Sequence, residues 1–395
     1  MGLIVGDGTS GSEAYADRLK LATGTSDPGS AEAGDMYLKT SNKTIRWYDG
    51  TNWHDLAAGA GTATGGNSAT YTSGNGVSYK VHWWTSTGSF TVGGANLDCD
   101  IFVLGGGGSG GGGSNSNYGS GGGAGGILWR PSKTLAPATY TCSIGNGGSW
   151  PSGSTTGNKG GDTTFTGNSY TLTGNGGGAG SGTANSTQPA ACTGGCGGGA
   201  GRDAGNQAAG ASNQNNSQDS SAYAYGYAGG IATGTGCTSA GGGGGTYQTG
   251  RNGCYDCNTN RGGTCSQGGD GVTSLSGLNS TEFSHMLWNA GKQGTNNSRS
   301  SGLGVACSSL GSRPSTIHIA GGGGGAYEHS SVSEMPYGGY GGGGRGGSRY
   351  PNGGGIAGTH ALTNTGSGGG AGQKYNGGGN GGNGANGLII IRYQA

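Results

Sequence analysis

Charge is scarce in this chain. Only 9% of its 395 residues are Asp, Glu, Lys or Arg, against about 25% in ordinary globular domains. The formal net charge is +1 and no Lys/Arg run occurs, so the electrostatic footprint of a nucleic-acid binder is missing. Apolar residues are scarce too, at 30%, below the usual share of roughly 45–50%. No apolar run approaches the roughly 20 residues that a membrane helix needs, which argues against membrane insertion. The opening stretch from Met1 to Gly8 is too short and too unflanked for a signal peptide. Gly6 also stands where a myristoylation motif requires Ser or Thr. The expectation is synthesis in the cytoplasm, or export without a cleaved leader. With 8 Pro and no strict Gly-X-Y repeat, the chain is not collagen.

Catalytic signatures are missing as well. No Gly-x-Ser-x-Gly stands in a strand-to-helix setting, no His-Glu-x-x-His occurs, and the six His are scattered. The glycine runs lead into no Gly-Lys-Ser/Thr, so they are not phosphate loops. Asp98 and Asp100 share a face if extended, as a glycosidase pair would, but acidic residues opening a strand usually mark its solvent edge. The expectation is no enzymatic activity, no cofactor and no metal. Nine Cys is an odd count, and seven of them fall in the glycine-rich part. Cys254-x-x-Cys257 with Cys265, and Cys192-x3-Cys196, could be zinc ligands, disulfides or free thiols. Disulfides at Cys192, Cys196, Cys254, Cys257 and Cys265 are favoured, because staples suit a protein with a small core.

What is present is glycine, 105 residues of it, with 19 Tyr and 7 Trp. Low charge and many aromatics do not fit ordinary disorder. Ordering glycine costs more backbone entropy than ordering any other residue, so a dense hydrogen-bond network has to offset it. Asp100–Leu104 is an apolar run without alternation that leads into glycine up to Gly126. Gly377–Gly387 leads in turn into Leu388–Tyr393. These two runs read as neighbouring buried strands of one small core.

Along the chain, Ser12–Leu21 could form a short helix or strand. Leu19–Leu56 reads as three or four short aromatic strands, with Asp49-Gly50 as a hairpin turn. Ala57–Gly76 reads as a linker. Tyr79–Thr85 alternates, and Ser89–Val92, Cys99–Leu104, Gly126–Trp129, Ala138–Ile144, Asp162–Phe165 and Ser169–Thr173 continue a series of strands. They indicate a β-sandwich or barrel-like head, closed by Leu388–Tyr393. From Gly174 to Gly387 glycine tracts alternate with polar loops. Glycines recur locally every third residue, as at 338, 341, 344 and 347. A polyproline-II helix has three residues per turn and no internal hydrogen bonds. A bundle of such helices would satisfy buried backbone groups without a hydrophobic core. The expected fold is thus mainly β with irregular polyproline-II helices. Residues 1–66 form a small β-module, 67–180 with 387–395 a sandwich-like head, and 181–386 a packed glycine bundle.

Three resemblances accompany this reading. Gly34-Asp35-Met36-Tyr37 with Lys43–Trp53 resembles small β-modules near the amino end of many tailed-phage fibre proteins. That resemblance implies trimerisation or virion attachment. Val103–Gly108, Thr134–Thr141 and Gly387–Tyr393 resemble the glycine-rich domain common in phage and viral structural proteins. The alternation of tract and loop is similar to the packed-glycine tip of distal adhesins of T-even-type phages, whose tip loops contact the host receptor. Together they imply a homotrimeric virion tail fibre, made in the host cytoplasm. It would bind other virion tail proteins and a host cell-surface glycan or outer-membrane protein. The alternative is a purely structural decoration or filament subunit.

The loops Asn206–Tyr227, Thr246–Gln267, Leu275–Ser301 and Tyr327–Tyr337 are the candidate contact regions. Tyr223, Tyr225 and Tyr227 have period two, hence one face if extended. They would stack on sugars, contact a protein, or simply cover the end of the bundle. Tyr337, Tyr340, Arg345, Arg349 and Tyr350 form a second aromatic and basic cluster. Receptor-binding candidates are therefore Tyr223, Tyr225, Tyr227, Tyr255, Trp288, Tyr337, Arg345 and Tyr350.

Overall fold

The computed structural model describes residues 21–41, 44–55, 61–74, 76–114, 118–153, 155–182, 192–202, 208–232, 239–253, 265–289, 317–327, 335–348, 355–373 and 379–395. Four short strands come first: β1 (Ala22–Gly24), β2 (Met36–Lys39), β3 (Thr44–Tyr48) and β4 (Trp53–Asp55). They form one sheet in chain order, with β1 parallel to β2 and the rest antiparallel. The β3–β4 turn is set by Asp49, whose carboxylate accepts the N–H groups of Thr51 and Asn52 at 2.7 Å each. Gly50 supplies a positive φ there. One face of this sheet is built inward. Asp27 binds Tyr37, Arg46 and Lys39, and Trp53 packs edge-on against Tyr37.

The next strands are β5 (Thr62–Thr64), β6 (Asn67–Thr72), β7 (Ser78–Trp84), β8 (Gly88–Gly93), β9 (Leu97–Leu104), β10 (Ile127–Leu135), β11 (Ala138–Ser143), β12 (Thr163–Gly167), β13 (Tyr170–Gly174), β14 (Tyr223–Tyr225) and β15 (Leu388–Gln394). They form two antiparallel sheets, β14-β10-β9-β15-β7-β6 and β13-β12-β11-β8-β5. The head is a sandwich of open sheets, not a barrel. The stretch expected as a linker contributes β5 and β6. Ala63 and Tyr71 are buried while the Thr residues of these strands point largely outward, an alternation the small side chains disguise.

The two apolar runs are neighbours, as expected: β9 and β15 pair antiparallel from Leu388↔Leu104 to Arg392↔Asp100. Neither run alternates because the six-stranded sheet is covered on both faces. Ile101, Val103, Ile389 and Ile391 face the second sheet, meeting Phe90, Tyr140, Phe165 and Leu172. Phe102, Leu104, Leu388 and Ile390 face Val272, Leu275, Phe283, Met286, Leu287 and Ile319. Part of that cover is helix α1 (Ser280–Asn289), in a region expected to be a loop. Asn279 caps it, its side chain accepting the Glu282 N–H, and Phe283, Met286 and Leu287 sit at helical spacing on the buried side. Among the described residues no helix is long and apolar enough to cross a membrane.

At one end of the sandwich the strands hand over to glycine. The β9–β10 ladder continues with the Gly105 N–H donating to the Gly126 carbonyl. From there successive N–H groups turn to different neighbours. Gly105, Gly108 and Gly111 donate to Gly126, Gly123 and Ser120. Gly106, Ser109 and Gly112 donate to Gly161, Asn158 and Thr155. Gly107 and Gly110 donate to Ala385 and Gly382. A donor direction that repeats every third residue, with every bond leaving the segment, is polyproline-II geometry. The tract 118–126 shows how tightly such helices pack. It exchanges hydrogen bonds with six others, near residues 105–111, 175–181, 196–199, 241–244, 323–326 and 366–369. The helices form a regular array.

Glycine makes that array possible by allowing close approach. A Cβ built on Gly107, Gly110, Gly121 or Gly125 would fall 2.0 Å from a neighbouring carbonyl oxygen. Because a helix with six neighbours has no free side, glycine is needed at almost every position, not only at every third. Exceptions are small: Ala240, Ala326 and Ala371 cluster with the buried Tyr118, and the Ser120 hydroxyl donates to the Gly199 carbonyl at 2.6 Å.

Candidate functional site

Large side chains return to the surface where the array ends. Six large apolar residues stand exposed among the described ones: Met36, Trp47, Tyr223, Tyr227, Ile231 and Tyr247. Four of them belong to one flank, which is therefore the candidate site. The strand β14 lies at the edge of the six-stranded sheet, paired with β10 through Tyr223↔Trp129 and Tyr225↔Ile127. The chain then runs on as a glycine-rich tract through residues 226–232. Gly229 and Gly230 donate to Gly210 and Gly242, the Tyr227 carbonyl accepts Gly197, and the Ala228 carbonyl accepts Gly250. Ile231 donates to the Asn252 side chain. Of these neighbours Gly197, Gly210, Gly242 and Gly250 are buried and Asn252 is exposed, and Tyr227 and Ile231 are themselves exposed.

Tyr247 joins this flank by connectivity. It lies in the short turn between tracts 239–245 and 250–253, and both tracts bond to the Tyr227–Ile231 segment. Tyr247 is 59% exposed, Tyr223 45% and Tyr227 44%. Gln248, Thr249, Arg251 and Asn252 are exposed beside it. The Tyr227 N–H faces the buried Cys196 thiol, whereas the Ala228 N–H makes no backbone hydrogen bond among the described residues.

The expected three-tyrosine platform is only partly assembled. Tyr225 is half-buried, packs on the cluster beneath α1, and accepts the Ser276 N–H on its hydroxyl at 2.7 Å. Burial raises its pKa. Its neighbours Tyr223 and Tyr227 remain exposed because they lie beyond that cluster. The anchor of the flank is Asp219, just upstream of β14. Burial opposes its ionisation, but hydrogen bonds from Arg130 and Tyr170, at 2.7 and 2.8 Å, outweigh burial and hold its carboxyl below the usual range.

The second predicted cluster is elsewhere. Arg345 lies over the Tyr337 ring at 4.6 Å, both half-buried in the array, so these two are brought together with each other and not with the tyrosine flank. Tyr255, Tyr350, Cys254 and Cys257 lie outside the described residues. Trp288 falls within α1, and its side chain is outside the description. The expectation of disulfides at Cys192 and Cys196 is corrected: both thiols are free and buried in the array. The Cys196 thiol approaches the Gly125 carbonyl and burial pushes its pKa up to about 12. Cys265 is disulfide-bonded, and since the other described cysteines are free its partner lies outside the described residues. Sequence reasoning missed Tyr247 and Ile231. The isolation of Ile231 within a Gly/Ala tract was a usable signal, because the array has no room for it inside.

The amino-terminal sheet carries the other two exposed residues. Met36 and Trp47 are directly opposite in register, and Leu38, Ile45 and His54 share their face. His54 lies against Trp47 with ring centroids 5.1 Å apart. This apolar face is the reverse of the one organised around Asp27.

No curated relative matches the sequence. The family model described as a glycine-rich domain matches residues 85–394, a span running from just after β7 into β15 and containing the hand-over, the array and the tyrosine flank. The chain belongs to this glycine-rich domain family.

Proposed function

We propose that the chain is a structural virion protein, a tail-fibre adhesin of a tailed phage that recognises a receptor on the host cell surface. The observation that carries this reading is the concentration of exposed large apolar side chains, four of six, on one flank of a backbone-bonded scaffold. A rigid scaffold presenting Tyr at its surface loses little entropy on binding, and Tyr is favoured where a contact is half apolar and half wet. The amino-terminal module attaches to other tail proteins and brings three copies together. Its open face of Met36, Leu38, Ile45 and Trp47 supports that role, because exposed apolar faces of this kind mark interaction sites.

The test is adsorption of the purified, labelled full-length chain to a panel of bacterial strains. Saturable binding to some strains is expected, lost in a Tyr223→Ala/Tyr227→Ala/Tyr247→Ala variant of unchanged melting temperature. A chain that binds no strain and does not block adsorption of the phage that encodes it overturns the adhesin reading. The open amino-terminal face favours a second reading, a virion subunit that serves assembly alone. Incorporation into particles without cell binding would select it.

A further inference from the structure

We infer that Asn380 is a self-modification site, at which the folded chain deamidates without an enzyme. An Asn followed by Gly is the pair most prone to this reaction, because glycine has no side chain to hinder attack on the preceding amide. The sequence holds nine such pairs. Both residues are described in six of them, at Asn146, Asn175, Asn252, Asn380, Asn383 and Asn386. In all but one the glycine N–H is already spent. Gly147 donates to the Asn386 side chain and Gly176 to the Asp162 carboxylate. Gly253, Gly384 and Gly387 donate to the carbonyls of Ile231, Gly148 and Gly145. The side chains of Asn252, Asn383 and Asn386 are held as well, accepting the N–H groups of Ile231, Trp150 and Gly147. Asn380 differs on both counts. It is exposed, and neither its side chain nor the Gly381 N–H makes a hydrogen bond among the described residues. Neither residue belongs to the tyrosine flank.

The exception has a structural cause. Along this tract the N–H groups of Gly387 and Gly384 go to Gly145 and Gly148, and the same three-residue step brings Gly381 to Pro151, where no bond forms. The partner segment turns at residues 151–153, with a φ of 93° at Gly153. The Trp150 ring fills the place instead: a Cβ on Gly381 would lie 2.8 Å from its Cε3. The reaction needs only water besides the chain. The Gly381 nitrogen loses its proton and attacks Asn380 Cγ. The Cγ–Nδ2 bond breaks, and ammonia leaves with that proton. The attack is intramolecular, so the burial of Gly381 does not prevent it. Water then opens the cyclic imide at either carbonyl. One opening gives aspartate. The other gives isoaspartate, which carries the main chain through Cβ and Cγ. That form lengthens the backbone of a tract whose donors are registered by threes, Gly382 to Gly370 and Ala385 to Ser367. Deamidation therefore loosens the tract that leads into β15.

The experiment ages the full chain in mildly alkaline buffer, folded and in urea, and then digests it with trypsin. Cleavage after Lys374 and Arg392 leaves Asn380, Asn383 and Asn386 in one peptide, so fragment masses compare them directly and tell Asn376 apart. In urea the three should convert at similar rates. In the folded chain Asn380 should convert at least about fivefold faster than Asn383 or Asn386, the worth of one hydrogen bond. Amide hydrogen exchange at Gly381 should outpace that at Gly384 by a similar factor. Equal conversion of the three sites in the folded chain overturns the inference. So does an Asn380 that stays intact in the folded chain while the denatured chain converts, because rigidity of the tract then protects it despite the missing bond.

Discussion

The sandwich and the glycine array belong to one chain and are both densely hydrogen-bonded through their backbones, yet they are held by opposite means. In the sandwich, backbones stay apart and side chains fill the gap: Ile101, Leu128, Phe165 and Ile391 are all fully buried between the sheets. In the array the backbones themselves meet, and the contact atoms are carbonyl oxygens and α-carbons. A side-chain core relaxes around a changed side chain, because rotamers and neighbours adjust. A backbone core has nothing to adjust. Tolerance to substitution should therefore differ sharply across Leu104–Gly105, where one kind of packing becomes the other.

The sharpest break of this contrast is Gly243→Ala. Its Cβ would sit 1.9 Å from the Gly122 carbonyl oxygen, in the middle of the array. One added methyl group should cost at least about 4 kcal/mol, the range kept for overpacking with no escape, and urea denaturation would read it. A loss below about 1 kcal/mol would mean that the tracts slide past one another. Next in size is Leu128→Ala in the sandwich, where removal of the side chain beyond Cβ should cost about 3 kcal/mol. The contrast is confirmed if the single methyl added to the array does more damage than the three heavy atoms taken from the core.

A smaller effect follows pH in both regions. His82 is buried in the sandwich, its Nδ1–H donating to the Gly65 carbonyl at 2.7 Å and its Nε2 facing the Tyr393 hydroxyl. Burial lowers its pKa. The unfolded chain then takes up a proton first, so stability present above the unfolded value of about 6.5 is lost as pH falls below it. Denaturation midpoints should drop between pH 7.5 and pH 5, and a His82→Gln variant should reduce that slope. The array should keep a dependence of the same sign through His318, whose pKa burial also lowers beside the Gly271 carbonyl. Only a His82→Gln/His318→Gln double variant should flatten the slope in both regions. The smallest effect serves as the control. Gly29 has nothing within 4 Å of a built Cβ, so Gly29→Ala should stay within about 0.5 kcal/mol.

Much of the sandwich was legible. Ile101–Leu104 and Leu388–Ile391 announce doubly covered strands by failing to alternate, and the structure pairs them. The polyproline-II character was legible from glycine content, but its regularity was not. The threefold repeat lives in the directions of N–H groups, and six neighbours erase it from the sequence by demanding glycine at almost every position. Asn279, Glu282, Phe283, Met286 and Leu287 did carry a cap and a helical stripe, but they stand among polar loops and were read as one. Tyr223 and Tyr227 were found through their period, whereas the fate of Tyr225 depended on Ser276 and the cluster under α1, some 50 residues away in the chain. Long-range pairing of that kind leaves no local mark.

The handing of successive donors to different neighbours has a consequence for how such a protein grows. A sandwich closes: once both faces are covered, another strand has nowhere to bury itself. The array has no closing condition, since every outer helix offers carbonyls and N–H groups to the next one laid beside it, much as a crystal face accepts a further row. An inserted out-and-back pair of glycine tracts would add a layer without disturbing those beneath. Inside, bulk such as the Tyr118 ring needs Ala neighbours to make room, whereas Tyr227 and Ile231 carry theirs exposed at the surface. Lineages of this fold would then change their surface by accretion, leaving the older rows inside as bare backbone.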